Sequence, residues 1–271
     1  MATAYIGVSG WRYSSWRGDF YPRGLRQKDE LAYAAERMSS AELNGSFYSL
    51  QRPSSYETWR DATPEGFVFA VKGGRFITHM KQLRDVETAL ANFFASGVLA
   101  LGDKLGPILW QLPERMAFDE ETLTRFFDLL PRSASSAAAL AKQHDDKVPE
   151  QRAFLEVLAE MPLRHALEPR HSSFDTPEAR AFLAERGICT VIADSAGRWP
   201  VLHDETADFR YVRLHGETRL YGGGYADASL DEWAERVRGW LADGFDTYVY
   251  FDNDADGRAP HDAVGLLARL A

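Results

Sequence analysis

Apolar and polar positions alternate between two regimes along the chain. Short runs rich in β-branched and aromatic residues recur at 5–9, 41–45, 67–72, 106–111, 164–168, 188–194, 209–215 and 247–252. Between most of them the apolar spacing is helical. Eight strands interleaved with helices over 271 residues predict a closed parallel barrel, a single TIM-like (β/α)8 domain over residues 1–271. An open doubly wound sheet would need a glycine-rich phosphate turn after its first strand, and Gly7-Val8-Ser9-Gly10-Trp11 is not one.

Start signals place several helices. Ser54 with Glu57, and Ser229 with Glu232, have capping-box spacing, while Thr176-Pro177 suits an N-cap followed by a first helical residue. Segments 81–95 and 261–271 also read as helices, the last closing the barrel. Two connections break the pattern. Only about a dozen residues, Ala196–Ala207, join strands six and seven, too few for a full crossover helix. Residues 112–163, between strands four and five, must hold more than one helix, including the Ala-rich Ser135–Lys142 piece, which reads as solvated surface along with the acidic 144–150 neighbourhood.

Composition narrows the function class. The 45% apolar and 26% charged residues are globular values, so disorder and a disulfide scaffold are excluded. The net charge of −9 disfavours nucleic acid and anionic membrane as general partners, leaving a local cationic pocket for a small anionic ligand. No apolar run reaches the length of a membrane span, and Cys189 has no second cysteine to pair with. Together with an N-terminus lacking signal-peptide features, this points to the cytoplasm.

Specific motifs then appear in order: Ser9-Gly10-Trp11-Arg12-Tyr13 with Trp16, Gly18 and Phe20-Tyr21-Pro22; Glu42-Leu43-Asn44-Gly45-Ser46-Phe47-Tyr48; Trp59 with Thr63-Pro64; Phe69-Ala70-Val71-Lys72 leading to Ile77-Thr78-His79; Leu105-Gly106-Pro107 with Gln111-Leu112-Pro113; Glu168-Pro169-Arg170-His171; Tyr211-Val212-Arg213-Leu214-His215-Gly216; and Asn253-Asp254. This series resembles the YecE-like family, domain of unknown function seventy-two. The resemblance implies a TIM-like barrel and supplies motif positions, but no reaction. Gly45, Glu114, Phe174 and Asp252 depart from the usual pattern, and none of these removes a charged motif residue.

In such barrels the active face lies at the carboxyl ends of the strands, and period-two alternation selects the inward side chains. These are Ser9 and Trp11, Glu42 and Asn44, Lys72, Gln111, Glu168 and Arg170, Asp194, Tyr211, Arg213 and His215, and Asn253. The preferred reading is an enzyme acting on a small anionic, phosphorylated or carboxylate substrate by acid/base chemistry. Lys72, Arg170, His171 and Arg213 would meet the anion, with Arg12 and Arg75 nearby. Glu42, Glu168 and His215 are the catalytic candidates, with His79 a further proton-transfer group. Asn44, Gln111 and Asn253 would orient polar groups, and Trp11 and Tyr48 would wall the pocket, while Trp16, Phe20, Tyr21 and Trp59 close one side of the mouth. The Gly222-Gly223-Gly224 run follows strand seven, where barrels often bind phosphate.

Three other readings use the same residues. Glu42, Glu168, Asp194 and His215 could converge on a divalent metal in an isomerase or phosphodiesterase, although Arg170 and Arg213 would repel it. The preferred reading requires no cofactor. A non-catalytic module could stack nucleotides, single-stranded nucleic acid or another anionic ligand on the early aromatics. The plainest alternative is an ion-pair girdle that fills the barrel mouth, at a large desolvation cost.

Overall fold

In the computed structural model, which describes residues 1–203 and 205–271, one sheet contains nine parallel strand segments: β1 (Ala4–Ser9), β2 (Ser40–Leu43), β3 (Val68–Lys72), β4 (Leu105–Gln111), β5 (His165–Glu168), β6 (Cys189–Thr190), β7 (Ile192–Asp194), β8 (Phe209–Leu214) and β9 (Asp246–Phe251). Their order, β6-β5-β4-β3-β2-β1-β9-β8-β7, runs around a nearly closed barrel. The ninth segment arises because the sixth expected strand is divided. β6 pairs only with β5 and β7 only with β8, while the Val191 amide between them donates to the Leu167 carbonyl at 2.9 Å.

Alternation sorts the side chains into two cores. Ile6, Val8, Leu43, Val71, Ile108, Leu167, Val212 and Val249 pack outward against the helices. Ala70, Leu109, Ala166, Cys189, Tyr211, Tyr248 and Tyr250 fill the barrel interior. Large residues from one side are matched by small ones opposite: the Tyr250 hydroxyl reaches the Ser40 hydroxyl at 2.8 Å, and Tyr211 reaches across to Glu42. Gly7 permits this closeness, since a Cβ there would lie 1.8 Å from the Ser40 carbonyl oxygen.

Nine α-helices occur among the described residues: α1 (Glu30–Ala35), α2 (Gly45–Tyr48), α3 (Pro53–Asp61), α4 (Glu87–Ala95), α5 (Glu120–Leu129), α6 (Ala134–Ala141), α7 (Pro177–Glu185), α8 (Asp227–Ala242) and α9 (Ala259–Leu270). Thr176 caps α7 as expected, accepting from the Ala179 amide. Neither capping box forms. Pro53 takes the first turn of α3 and leaves Ser54 inside the helix, while α8 starts at Asp227, ahead of Ser229. The expected helix over 81–95 shortens to α4 because Gln82, Leu83 and Asp85 adopt left-handed backbone angles. Its role before that point is taken by a π-helical turn, Phe76–Met80. Two helices, α5 and α6, fill the long connection as anticipated. However, α6 buries Ala134, Ala137, Ala138 and Ala141, so one face of it is core and not solvated surface. No helix lies among the described residues between β7 and β8; Asp204, within the Ala196–Ala207 connection, is outside them.

Candidate functional site

The uppermost interior layer is polar and centres on Arg213, whose side chain is fully buried. Its Nη2 donates to Glu42 Oε1 at 2.7 Å, to Ser9 Oγ at 2.9 Å and to Asp252 Oδ2 at 3.1 Å. Nε donates to Glu42 Oε2 at 3.0 Å and Nη1 to Glu168 Oε2 at 2.9 Å. β8 supplies Arg213 from one wall, while Glu42, next to last in β2, and Glu168, last in β5, come from others. One guanidinium therefore ties the top of the barrel together.

The carboxylates have little acceptor capacity left. Glu42 also accepts from the Ser9 hydroxyl at 2.5 Å and the Tyr211 hydroxyl at 2.6 Å. Glu168 accepts from Gln111 Nε2 and Arg170 Nε, both at 2.9 Å. Burial works against the Glu168 charge, but Arg170 and Arg213 outweigh it and hold this carboxyl well below its usual range. Burial opposes ionisation of Asp252 too, and Arg213 again wins, keeping its pKa low. His215 is fully buried, its Nδ1 2.9 Å from Asp252 Oδ2 and its Nε2 3.3 Å from Arg213 Nη1. These groups form the ion-pair girdle, in which two guanidiniums, Arg213 and Arg170, are shared among three carboxylates.

A cavity of about 770 Å³ opens above this layer. Glu42, Glu168, Arg213 and His215 do not line it. Lys72, Asn44, Gln111 and Asp252 do, among walls that include Trp11, Phe47, Tyr48, Trp59 and Tyr221, and a rim carrying Arg12, Arg75 and His79. Tyr48 stands at the edge, 71% exposed.

Lys72 is the singular group of the floor. It ends β3 pointing inward and is 8% exposed, with Nζ 4.4 Å from the centroid of the Phe47 ring. No hydrogen bond or ion pair engages its ammonium among the described residues. Gly73 follows it, its amide donating to the Leu109 carbonyl at 2.8 Å at a position where a Cβ would come 2.3 Å from the Trp110 ring. Burial and then the Arg213 charge lower the Lys72 pKa to about 8. Burial followed by the Lys72 charge lowers that of His79 to about 4, so its imidazole is neutral near pH 7. Asn44 donates to Ser9 Oγ at 2.8 Å and leaves its buried Oδ1 without a partner.

Four expected site residues lie elsewhere. Asn253 turns behind β9, donating to the Gly223 carbonyl and to Asp262, because the inward positions of β9 run Tyr248, Tyr250 and then Asp252. His171 caps the turn Ser172–Phe174. Asp194 accepts from the Tyr225 hydroxyl at 3.0 Å, away from Glu42 and Glu168. Arg170 spends its guanidinium on Glu168 and lies 3.6 Å over the Trp199 ring. The glycine run is not a phosphate cradle: the Gly223 and Tyr225 amides already donate to Asp256 and Asp262. Trp16, Phe20 and Tyr21 do pack together as a closed aromatic cluster, whereas Trp59 joins the cavity wall.

The proposed metal set does not fit. Arg213 occupies the point where the carboxylates converge, and no group of three or more His, Cys, Asp or Glu is arranged to hold a metal among the described residues. Asp252, Gln51 and Tyr221 are additions to the expected lining. Strict alternation from Tyr248 and Tyr250 would have identified Asp252.

The family model described as "Protein of unknown function DUF72" matches residues 5–271. The UPF0759 protein YunF of Bacillus subtilis (strain 168) is 23% identical over 299 residues, covering 98% of this chain and 94% of that protein. The UPF0759 protein YecE of Escherichia coli (strain K12) is 27% identical over 128 residues, 47% of this chain and 44% of its own. A crystal structure of a DUF72 family protein from Thermotoga maritima MSB8 superposes with a TM-score of 0.77 at 25% identity, covering 99% of each chain.

Proposed function

The chain belongs to the DUF72 family, and from that premise, which carries a fold and no reaction, we propose that it is an enzyme binding a small carboxylate or phosphate in the cavity above Arg213 and moving a proton there. The observation that carries this reading is Lys72: a buried ammonium without a counter-ion bond, facing a cavity with Arg12 and Arg75 on its rim. An unpaired buried cation is costly, and an anionic ligand would supply the missing partner. Trp11 and Tyr48 would wall the ligand, and Asn44 and Gln111 would orient its neutral polar atoms. The proton-transfer groups are Lys72, whose pKa near 8 suits work close to neutrality, and the Asp252 carboxylate beside it on the floor. Glu42 and Glu168, with their acceptor sites filled, serve as the counter-charges that fix Arg213, and His215 holds Asp252.

No helix among the described residues is long and apolar enough to cross a membrane. The buried, unpaired Cys189 is in keeping with a reducing cytoplasm as the site of action.

A thermal-shift panel of small carboxylates and phosphorylated compounds tests the binding. Members of the panel should stabilise the wild type, while Lys72→Met and Arg75→Ala lose most of that gain. Hydrogen–deuterium exchange at carbon in each stabilising compound, followed by NMR, then separates catalysis from binding. Equal shifts in wild type and Lys72→Met would overturn the anion site, and binding without any exchange would reduce the protein to a binding module.

A further inference from the structure

We propose that Lys72 is an amine nucleophile that forms a transient imine with an aldehyde or ketone carbon, making the substrate a small carbonyl compound that also carries a carboxylate or phosphate. This rests on the anion-binding reading above and extends it to the class of chemistry.

The comparison that supports it lies within the chain. Lys104 is the structural lysine: its Nζ donates to the Arg60 carbonyl at 2.7 Å, the Thr63 carbonyl at 2.6 Å and the Thr63 hydroxyl at 3.1 Å. Lys72 is more deeply buried, yet no acceptor holds it, and the nearest aromatic face is Phe47. The nearby carboxylates are engaged by other groups: Arg213, Arg170, Ser9, Tyr211 and Gln111 donate to Glu42 and Glu168, and Arg213 and His215 hold Asp252 Oδ2. Desolvation and a neighbouring cation make a lysine amine nucleophilic, and on Lys72 both prevail over the opposing charges of Glu42, Glu168 and Asp252. With its pKa near 8, roughly a tenth of the side chains are neutral at pH 7, against well under a thousandth for an ordinary lysine. Arg12 and Arg75 on the rim leave the charged end of a ligand a separate place to bind.

The chemistry balances without a further reagent. The Nζ lone pair attacks the carbonyl carbon, forming the C–N bond as the π pair moves to oxygen, which takes a proton. The nitrogen loses a proton to give the neutral carbinolamine. The hydroxyl then accepts a proton and leaves as water while the nitrogen pair closes the C=N bond. Amine, carbonyl and one proton become protonated imine and water. The protonated imine withdraws electrons from the adjacent carbon, whose proton then passes to the Asp252 carboxylate, which lines the same cavity.

Glyoxylate, a carboxylate that is also an aldehyde, is the probe. The full-length protein is treated with glyoxylate and sodium cyanoborohydride at pH 7, and each lysine is followed by peptide mass spectrometry for a gain of the probe mass less one oxygen. Lys72 should be labelled at least about tenfold faster than exposed Lys28, Lys81 and Lys142, which serve as internal standards. Equal or slower labelling of Lys72 overturns the imine role. If glyoxylate and inorganic phosphate nevertheless stabilise the wild type and not Lys72→Met, the anion site survives that result; if neither stabilises, both readings fall.

Discussion

Arg213 shows how one side chain can govern several others. Its guanidinium is shared among Glu42, Glu168 and Asp252, all in a layer closed to solvent from below. Removing one of these charges leaves the rest uncompensated. Glu42→Gln is therefore expected to cost about 3–5 kcal/mol of folding stability, read by urea unfolding, because breaking a buried pair strands its partner; a loss below about 1 kcal/mol would contradict the girdle. Asp254 offers the opposite case. It is buried, and neither of its oxygens is within good hydrogen-bond geometry of the Tyr13 hydroxyl and Trp16 indole that face it; burial, and then the Asp252 charge, prevail over these two groups and raise its pKa to about 8. The folded state then holds a proton that the unfolded state releases near its ordinary pKa of 3.8. Stability from this group is present below about pH 4 and lost as pH rises toward 8. Asp254→Asn should raise the melting temperature at pH 8 and lose that advantage by pH 4. At this scale alternation along the strands made most inward residues legible in the sequence. Their partners were not, since Glu42 and Arg213 stand 171 positions apart and only the closed barrel shows which cation each carboxylate meets.

At the scale of elements, β-branched and aromatic runs located the strands to within one or two residues, because strand spacing and burial leave a local signature. What was not legible came from non-local partners. The start of α8 is served by Glu217, ten residues upstream of it: its Oε2 accepts from the Ala226 amide at 2.8 Å and its Oε1 from the Ser229 hydroxyl at 2.6 Å. A capping-box pattern at Ser229 and Glu232 is a local motif, and a carboxylate arriving from the preceding loop displaced it. Glu217→Ala should weaken this terminus by about 1 kcal/mol, visible as faster amide exchange over residues 226–230 with little change in the second half of α8. The break at Val191 was likewise hidden, since 188–194 reads as one continuous apolar run; neighbouring strands impose the division by pairing with its two halves separately.

Over the whole molecule, an acidic chain still presents Lys72, Arg12 and Arg75 to one cavity at the end of its barrel. The net charge of −9 says little about that cavity, whose lining includes all three. The girdle below also sets the acid response. Glu168 and Asp252 have folded pKa values depressed below their ordinary 4.5 and 3.8, so the unfolded chain binds their protons first. Their stabilisation is complete at neutral pH and disappears as pH falls through the ordinary carboxylate range toward the folded values. Chemical denaturation at pH 7 and pH 3 should show a marked loss at the lower pH, and unchanged stability would remove the electrostatic role given to this layer.

The central claim, that Lys72 is a desolvated ammonium waiting for an anion, is tested most directly by NMR titration of its side chain in protein carrying isotope-labelled lysine, assigned with Lys72→Met. The resonance should titrate near pH 8, and inorganic phosphate should move that midpoint upward, because an anion favours the charged amine. A midpoint near the ordinary 10.5 that phosphate does not shift would contradict the claim.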